Sequence, residues 1–167
     1  MIAYQVDESA DSKKLVNACR QEALVDIQRF PHRLKGQKDP EVLAELLPAG
    51  RTLVTTDRSI HTDHAGCIPE NHSGILIIAD TSSPNTLTMR RVMDILSAFK
   101  SHFGKWHTVS LRNFVVEITE SSVEVSKVSD GVVQRVAFIR LNEDNWSAML
   151  LTALSTNARS VLPPPPS

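Results

Sequence analysis

The chain opens on Ile2-Ala3-Tyr4-Gln5-Val6, a short apolar run with strand character that breaks at Asp7-Glu8-Ser9. From about Asp11 the pattern turns helical, with Leu15, Val16 and Cys19 on one face. Ala23 to Phe30 then alternates, Leu24, Asp26 and Gln28 against Val25, Ile27 and Arg29, which predicts a second strand ended by Pro31. A polar loop from His32 to Lys38 leads into Asp39-Pro40-Glu41, which reads as an N-cap, a proline at N1 and an acidic first turn. That helix runs to about Leu47 and stops at Pro48-Ala49-Gly50.

Thr52-Leu53-Val54-Thr55-Thr56 predicts a third strand leading into Asp57. Gly74-Ile75-Leu76-Ile77-Ile78-Ala79 predicts a fourth, leading into Asp80. The unbroken apolar run of the fourth fits a parallel strand covered on both faces. Thr86 to Phe103 is helical, with Val92, Leu96, Phe99 and Phe103 on one stripe. The rhythm then changes to three strand candidates, Asn113 to Ile118, Val123 to Val128 and Val132 to Leu141. Asp130-Gly131 makes the hairpin turn between the last two. Asn142 is placed to cap a final helix carrying Trp146, Met149, Leu150 and Leu154, and Pro163 to Ser167 form a polyproline tail. The fold class is therefore α/β: a three-layer α/β/α sandwich with a mostly parallel central sheet, plus a C-terminal antiparallel hairpin region and helix. The length of 167 residues favours one domain.

Charge and composition narrow the partners. With 18 Lys+Arg against 19 Asp+Glu the formal charge is −1, so the chain is no grossly basic nucleic-acid coat, although local basic patches remain open to it. Cys19 and Cys67 call for no disulfide framework, which fits a reducing cytoplasm. No apolar run has membrane-spanning length, and the first residues lack the basic lead and apolar region of a secretory signal.

Parallel α/β sheets carry their functional residues beyond the carboxyl ends of the strands. Asp7, Asp57 and Asp80 each follow a predicted strand, and Asp39 opens the helix between the second and third. Several carboxylates on one edge repel unless a cation sits among them, and hard oxygen ligands suit Mg²⁺ or Mn²⁺. Capping accounts equally well for Asp39, and a turn for Asp80.

The stretch Asp39-Pro40-Glu41-Val42-Leu43-Ala44-Glu45-Leu46-Leu47, then Pro48-Ala49-Gly50 and Arg51-Thr52-Leu53-Val54-Thr55-Thr56-Asp57-Arg58, resembles the signature of PIN-like domains: an acid opening a helix, a glycine ending it, and a strand finishing in Leu-Val-Thr-x-Asp. The opening strand into Asp7-Glu8 and the Gly74 to Ile78 strand with its long helix follow the same layout. The resemblance covers about Ile2 to Val125, making 1–125 the core, 126–160 a strand and helix extension, and 161–167 a proline-rich tail. It implies a metal-dependent ribonuclease of the kind found as the toxin of toxin–antitoxin pairs, using Mg²⁺ or Mn²⁺, with an RNA substrate, an antitoxin partner and a homodimer. Carried over, Asp7, Asp39 and Asp57 are the catalytic, metal-binding acids, and Thr55 orients them. The chain departs from the pattern at Ser59, where the family usually has a second acid. Asp63 and Asp80 are candidate further ligands, with Glu8 and Glu41 as supporting acids.

Two stretches could hold a phosphate backbone. Arg29, Arg33, Lys35 and Lys38 lie in a segment without acids, and Arg90 and Arg91 open a second cationic stretch that continues through Lys100, Lys105 and Arg112; Arg58 follows Asp57 directly. Trp106 beside His107 is a candidate for base stacking. Three other readings compete. A catalytically inactive PIN-like binding or regulatory module is one. A receiver-like phosphoacceptor built on Asp7-Glu8, Asp57 and Thr81 or Ser82 is the second, although the fifth strand leads into Glu117-Ile118-Thr119 where that pocket needs a lysine. A zinc site from His61, Asp63, His64, Cys67 and His72 is the third, without a standard zinc motif.

Overall fold

A computed structural model of the chain describes residues 2–21, 26–78, 87–101 and 110–159. Seven strands form one sheet: β1 (Ala3–Val6), β2 (Asp26–Gln28), β3 (Thr52–Thr55), β4 (Ile75–Ile78), β5 (Phe114–Ile118), β6 (Ser122–Ser129) and β7 (Val132–Arg140). Their order is β2-β1-β3-β4-β5-β6-β7. The first five run parallel, with Tyr4 opposite Thr52, Leu53 opposite Ile75 and Ile75 opposite Val115. β6 and β7 then add antiparallel at one side, as the hairpin pattern predicts. The helices are α1 (Lys13–Gln21), α2 (Asp39–Leu46), the single turn α3 (Ile60–Asp63), α4 (Leu87–Ser101) and α5 (Trp146–Arg159).

The chain steps one way along the sheet from β1 to β2 and the other way from β2 through β5. Right-handed crossovers in both directions require helices on both faces, consistent with a three-layer sandwich. Every residue of β3 and β4 is buried, which is why the Ile75–Ile78 run shows no alternation. Leu15, Val16 and Cys19 of α1 and Val92, Leu96 and Phe99 of α4 face this core. Asp130 and Gly131 have φ of 51° and 75°, the left-handed pair that a tight hairpin needs. Gly74 enters β4 at φ 103°, where a Cβ would stand 2.3 Å from the Leu111 carbonyl oxygen. No helix among the described residues is long and apolar enough to cross a membrane.

Four elements differ from their sequence pattern. β2 ends at Gln28, short of Phe30, where the Asp11 carboxylate takes the Phe30 N–H and pairs with Arg29; Ala23 to Val25 of the predicted strand lie outside the described residues. Asp39 is the first residue of α2 and Lys38 its N-cap; Glu41 reaches back to accept the Lys38 N–H at 3.3 Å, so the Asp39 carboxylate is not spent on capping. The stretch after Ser59, where the pattern predicts no element, makes α3 and a 3₁₀ turn over Ala65–Cys67. Asn142 does not cap α5. Residues 142–145 form an exposed turn, and the helix buries Leu150, Leu151 and Leu154 while Met149 is 40% exposed.

Candidate functional site

The strand order reverses direction at β1, so the crevice beyond the carboxyl ends of β1 and β3 is the topological switch point of the sheet. Asp7 follows β1 directly and still donates its backbone N–H to Val54 O of β3 at 2.7 Å. Its side chain is almost wholly fixed. Oδ1 accepts the Glu8 N–H at 2.5 Å, capping the 3₁₀ turn Glu8–Ala10. Oδ2 accepts the Thr55 hydroxyl at 2.7 Å, with the Ser9 hydroxyl 3.1 Å away. Thr55 is fully buried, and its Oγ1 also accepts the Asp57 N–H at 3.1 Å, so one hydroxyl joins the ends of β1 and β3. Burial raises the Asp7 carboxyl above its ordinary value. The hydrogen bonds from Thr55, Glu8 and Ser9 pull it back, and the negative charge of Asp39 pushes it further up.

Asp39, whose charge is the smallest of these influences, stands at the start of α2. Its Oδ2 lies 3.3 Å from His64 Nε2, on the turn after α3. Asp57 is half-buried beyond β3 and binds its own turn: Oδ1 accepts the Ser59 N–H at 2.9 Å and the Ser59 hydroxyl at 2.8 Å. Ser59 therefore orients Asp57 where an acid would add a ligand. Glu8 accepts the Gly36 N–H at 3.2 Å and Glu41 serves the helix cap, so both supporting acids are engaged locally. Asp63 is exposed at the end of α3. Asp80, Thr81, Ser82, Lys105, Trp106, His107 and the proline tail lie outside the described residues.

Asp7 and Asp39 carry hard oxygen donors of the kind a divalent cation takes, Asp7 already held by hydroxyl and amide donors and Asp39 by His64. Among the described residues, however, no group of three or more His, Cys, Asp or Glu is placed to hold a metal ion. The pair suits an ion of the Mg²⁺ kind, which keeps several waters and takes one or two protein carboxylates plus substrate phosphate. It does not form a closed all-protein cage. The zinc candidates do not converge either. His64 faces Asp39, His72 is buried with Nδ1 accepting the Gly74 N–H, and Cys67 is exposed.

The basic residues are less free than their spacing along the chain indicates. Arg29 pairs with Asp11 at 2.8 Å, Arg33 with Glu45 at 2.5 Å, Arg58 with Glu117 at 2.5 Å, and Arg91 lies 3.7 Å from Asp94. Lys35, Lys38 and Arg90 are exposed and form no ion pair among the described residues. The Gly36–Glu8 hydrogen bond ties the Lys35 to Lys38 loop to the turn after Asp7. Arg58 follows Asp57 beyond β3, with 66% of its side chain exposed despite its partner on β5.

One residue at this site, Ser9, escapes sequence reasoning. Ser9 lies 3.0 Å from the Thr55 hydroxyl and accepts the Thr56 N–H at 3.1 Å, in addition to its contact with Asp7. His64 touches Asp39 across a long stretch of chain. The only signal for Ser9 is its place two residues after Asp7; His64 reads in the sequence as a zinc candidate, and its contact with Asp39 has no local signal. Comparison with protein-family models, curated proteins and solved structures finds no match for this chain. What the fold and crevice define is an α/β protein with a mostly parallel seven-stranded sheet and an acidic, hydroxyl-braced switch point.

Proposed function

We propose that the chain is a Mg²⁺- or Mn²⁺-dependent endoribonuclease of the PIN-like kind, acting as the toxin of a toxin–antitoxin pair. The observation that carries this reading is the hydroxyl-braced Asp7 at the switch point, with Asp39 released from capping by Glu41 and neither carboxylate paired with a lysine or arginine among the described residues. Asp7, Asp39 and Asp57 would hold the ion, and Asp63 and Asp80 are the acids from which a further ligand would come. When bound, the ion neutralises charge developing on a phosphodiester and activates water. The protein's own contribution is placement: Thr55 fixes Asp7, Ser59 fixes Asp57, and Lys35, Lys38 and Arg58 hold phosphates on either side. An antitoxin would cover the same crevice and cations; a homodimer belongs to the resemblance alone.

A second reading, an inactive PIN-like binding module, is favoured by the lack of a three-ligand group among the described residues and by Ser59 at the acid position. The test is cleavage of a mixed single-stranded RNA with Mn²⁺ by the wild type and by Asp57→Asn, which removes charge and keeps shape. Cleavage that requires the ion and disappears in the variant supports the nuclease. An unchanged rate in Asp57→Asn rejects the site, and no cleavage by a wild type that binds RNA selects the inactive module.

A further inference from the structure

β7 is the last strand of the sheet, and its aromatic side chain faces solvent: Phe138 is 50% exposed. The Arg135 guanidinium lies over that ring, 5.8 Å from its centroid. In a regular strand, residues three apart point to opposite faces. A bulge changes this: Val125 pairs with Ala137 and the next residue, Ser126, with Arg135, so β7 carries Val136 as an extra residue. The extra residue turns Arg135 and Phe138 to one face, and Arg140, two residues beyond Phe138, joins them.

The pairing register places this face relative to the crevice. Thr55 stands opposite Ile77, Ile77 opposite Glu117, Glu117 opposite Glu124, and Glu124 opposite Phe138. Paired residues share a face, so Phe138 lies on the same side of the sheet as the Thr55 side chain, four strand spacings or about 19 Å away. Arg58, the residue after Asp57, reaches into this row and pairs with Glu117. An exposed aromatic ring with guanidinium groups beside it suits single-stranded nucleic acid, because bases stack on the ring and the cations meet phosphate. A second copy of the chain suits the strand less well. β7 holds Arg135 and Arg140 and no acid, so edge-to-edge pairing would bring the arginines of both copies together.

We propose that Phe138 and Arg135 form a stacking station for single-stranded RNA, holding a base of the strand a few nucleotides from the crevice beyond β1 and β3. The choice of RNA rests on the ribonuclease reading above. The base continues the stack that guanidinium and ring begin, and Arg140 meets the neighbouring phosphate. Glu124 shares the row and forms no ion pair among the described residues, so its charge opposes the phosphates. Phe138 is half exposed, so its replacement costs the fold little.

The experiment is fluorescence anisotropy of a labelled, mixed-sequence single-stranded RNA of about 12 nucleotides. It is titrated in EDTA with the full chain as wild type, Phe138→Leu, Phe138→Tyr, Arg135→Gln and Glu124→Gln, alongside thermal unfolding and sedimentation of each protein. The expected result is affinity weakened about tenfold in Phe138→Leu and retained in Phe138→Tyr. Arg135→Gln should bind more weakly with a shallower salt dependence, and Glu124→Gln more tightly. Equal affinity in Phe138→Leu and wild type overturns the station and leaves the ribonuclease reading standing. Equal loss in Phe138→Leu and Phe138→Tyr also overturns it, assigning the effect to packing. If Phe138→Leu does not fold, Arg135→Gln decides, and an unchanged affinity and salt slope there overturns the proposal. Self-association of the wild type that Phe138→Leu abolishes, with RNA affinity unchanged, gives the face to a second copy instead. A wild type that binds no RNA overturns both the station and the RNA reading, and is distinguishable because it needs no variant.

Discussion

Thr55→Val removes a single hydroxyl at a fully buried position and keeps the side chain's shape. That hydroxyl donates to Asp7 Oδ2 at 2.7 Å and accepts the Asp57 N–H at 3.1 Å, so its loss unties the ends of β1 and β3 together. A hydrogen bond to a charged acceptor contributes about 1.5–3 kcal/mol, and the added methyl group returns at most about 0.8 kcal/mol. The Asp57 amide is only partly buried, so water relieves it. The net cost is roughly 1–2 kcal/mol, which at a urea slope of about 2 kcal/mol per molar lowers the unfolding midpoint by roughly 0.5–1 M. Asp7 reports the same event independently. Burial already holds its carboxyl above the ordinary 3.8, and the Thr55 hydrogen bond is the strongest influence pulling it down, so Thr55→Val moves its titration further up. The sign for stability follows. The folded chain keeps this proton longer than the unfolded chain, so the Asp7 contribution is fully present below pH 3.8 and is lost as pH rises through the folded value. Thr55→Val extends that loss to higher pH. The assays are urea unfolding at neutral pH and carbon-13 titration of the Asp7 carboxyl. An unmoved midpoint together with an unmoved Asp7 titration refutes the hydroxyl brace.

Three further outcomes are expected. Gly74→Ala places a Cβ 2.3 Å from the Leu111 carbonyl oxygen at φ 103°, combining backbone strain with overpacking for a cost of roughly 3–5 kcal/mol in denaturant unfolding. Gly50→Ala, at φ 76° with open space, costs only about 1 kcal/mol, and equal costs would contradict the close approach. Burial lowers the His72 imidazole from 6.5 to about 4, so its contribution is present above pH 6.5 and is lost as pH falls toward 4, up to roughly 3 kcal/mol. His72→Gln should flatten stability against pH in that interval, and an unchanged slope would place the acid sensitivity elsewhere. Lys35→Ala/Lys38→Ala should weaken RNA binding and reduce its salt dependence without moving the unfolding midpoint, because neither side chain pairs with an acid among the described residues; an unchanged salt slope would remove these lysines from the RNA path.

How far the chain is legible depends on the range of the interactions. β4, the apolar stripe of α4 and the Asp130-Gly131 hairpin are local patterns, and each is visible along the sequence. The placement of Asp7 and Asp57 at strand ends is legible for the same reason. Strand order is not, because the position of β1 between β2 and β3 is settled by packing over distant segments. The basic stretch from Arg29 to Lys38 reads as four free cations, whereas the fold brings Asp11 to Arg29 and Glu45 to Arg33. Asp39 reads as a cap because Asp-Pro-Glu fits one; the chain instead places the cap one residue earlier and lets Glu41 complete it. His64 beside Asp39 joins segments with no shared pattern, and no local rule anticipates it.

The central claim is that the crevice beyond β1 and β3 is a divalent-cation site built on acidic side chains. Calorimetric titration with Mn²⁺ of the wild type and of Asp7→Asn/Asp57→Asn tests it most directly. Saturable binding in the micromolar to millimolar range, abolished in the double variant while the fold persists, is the predicted result. A well-folded wild type that takes up no Mn²⁺, or a double variant that binds as well as the wild type, would contradict the account.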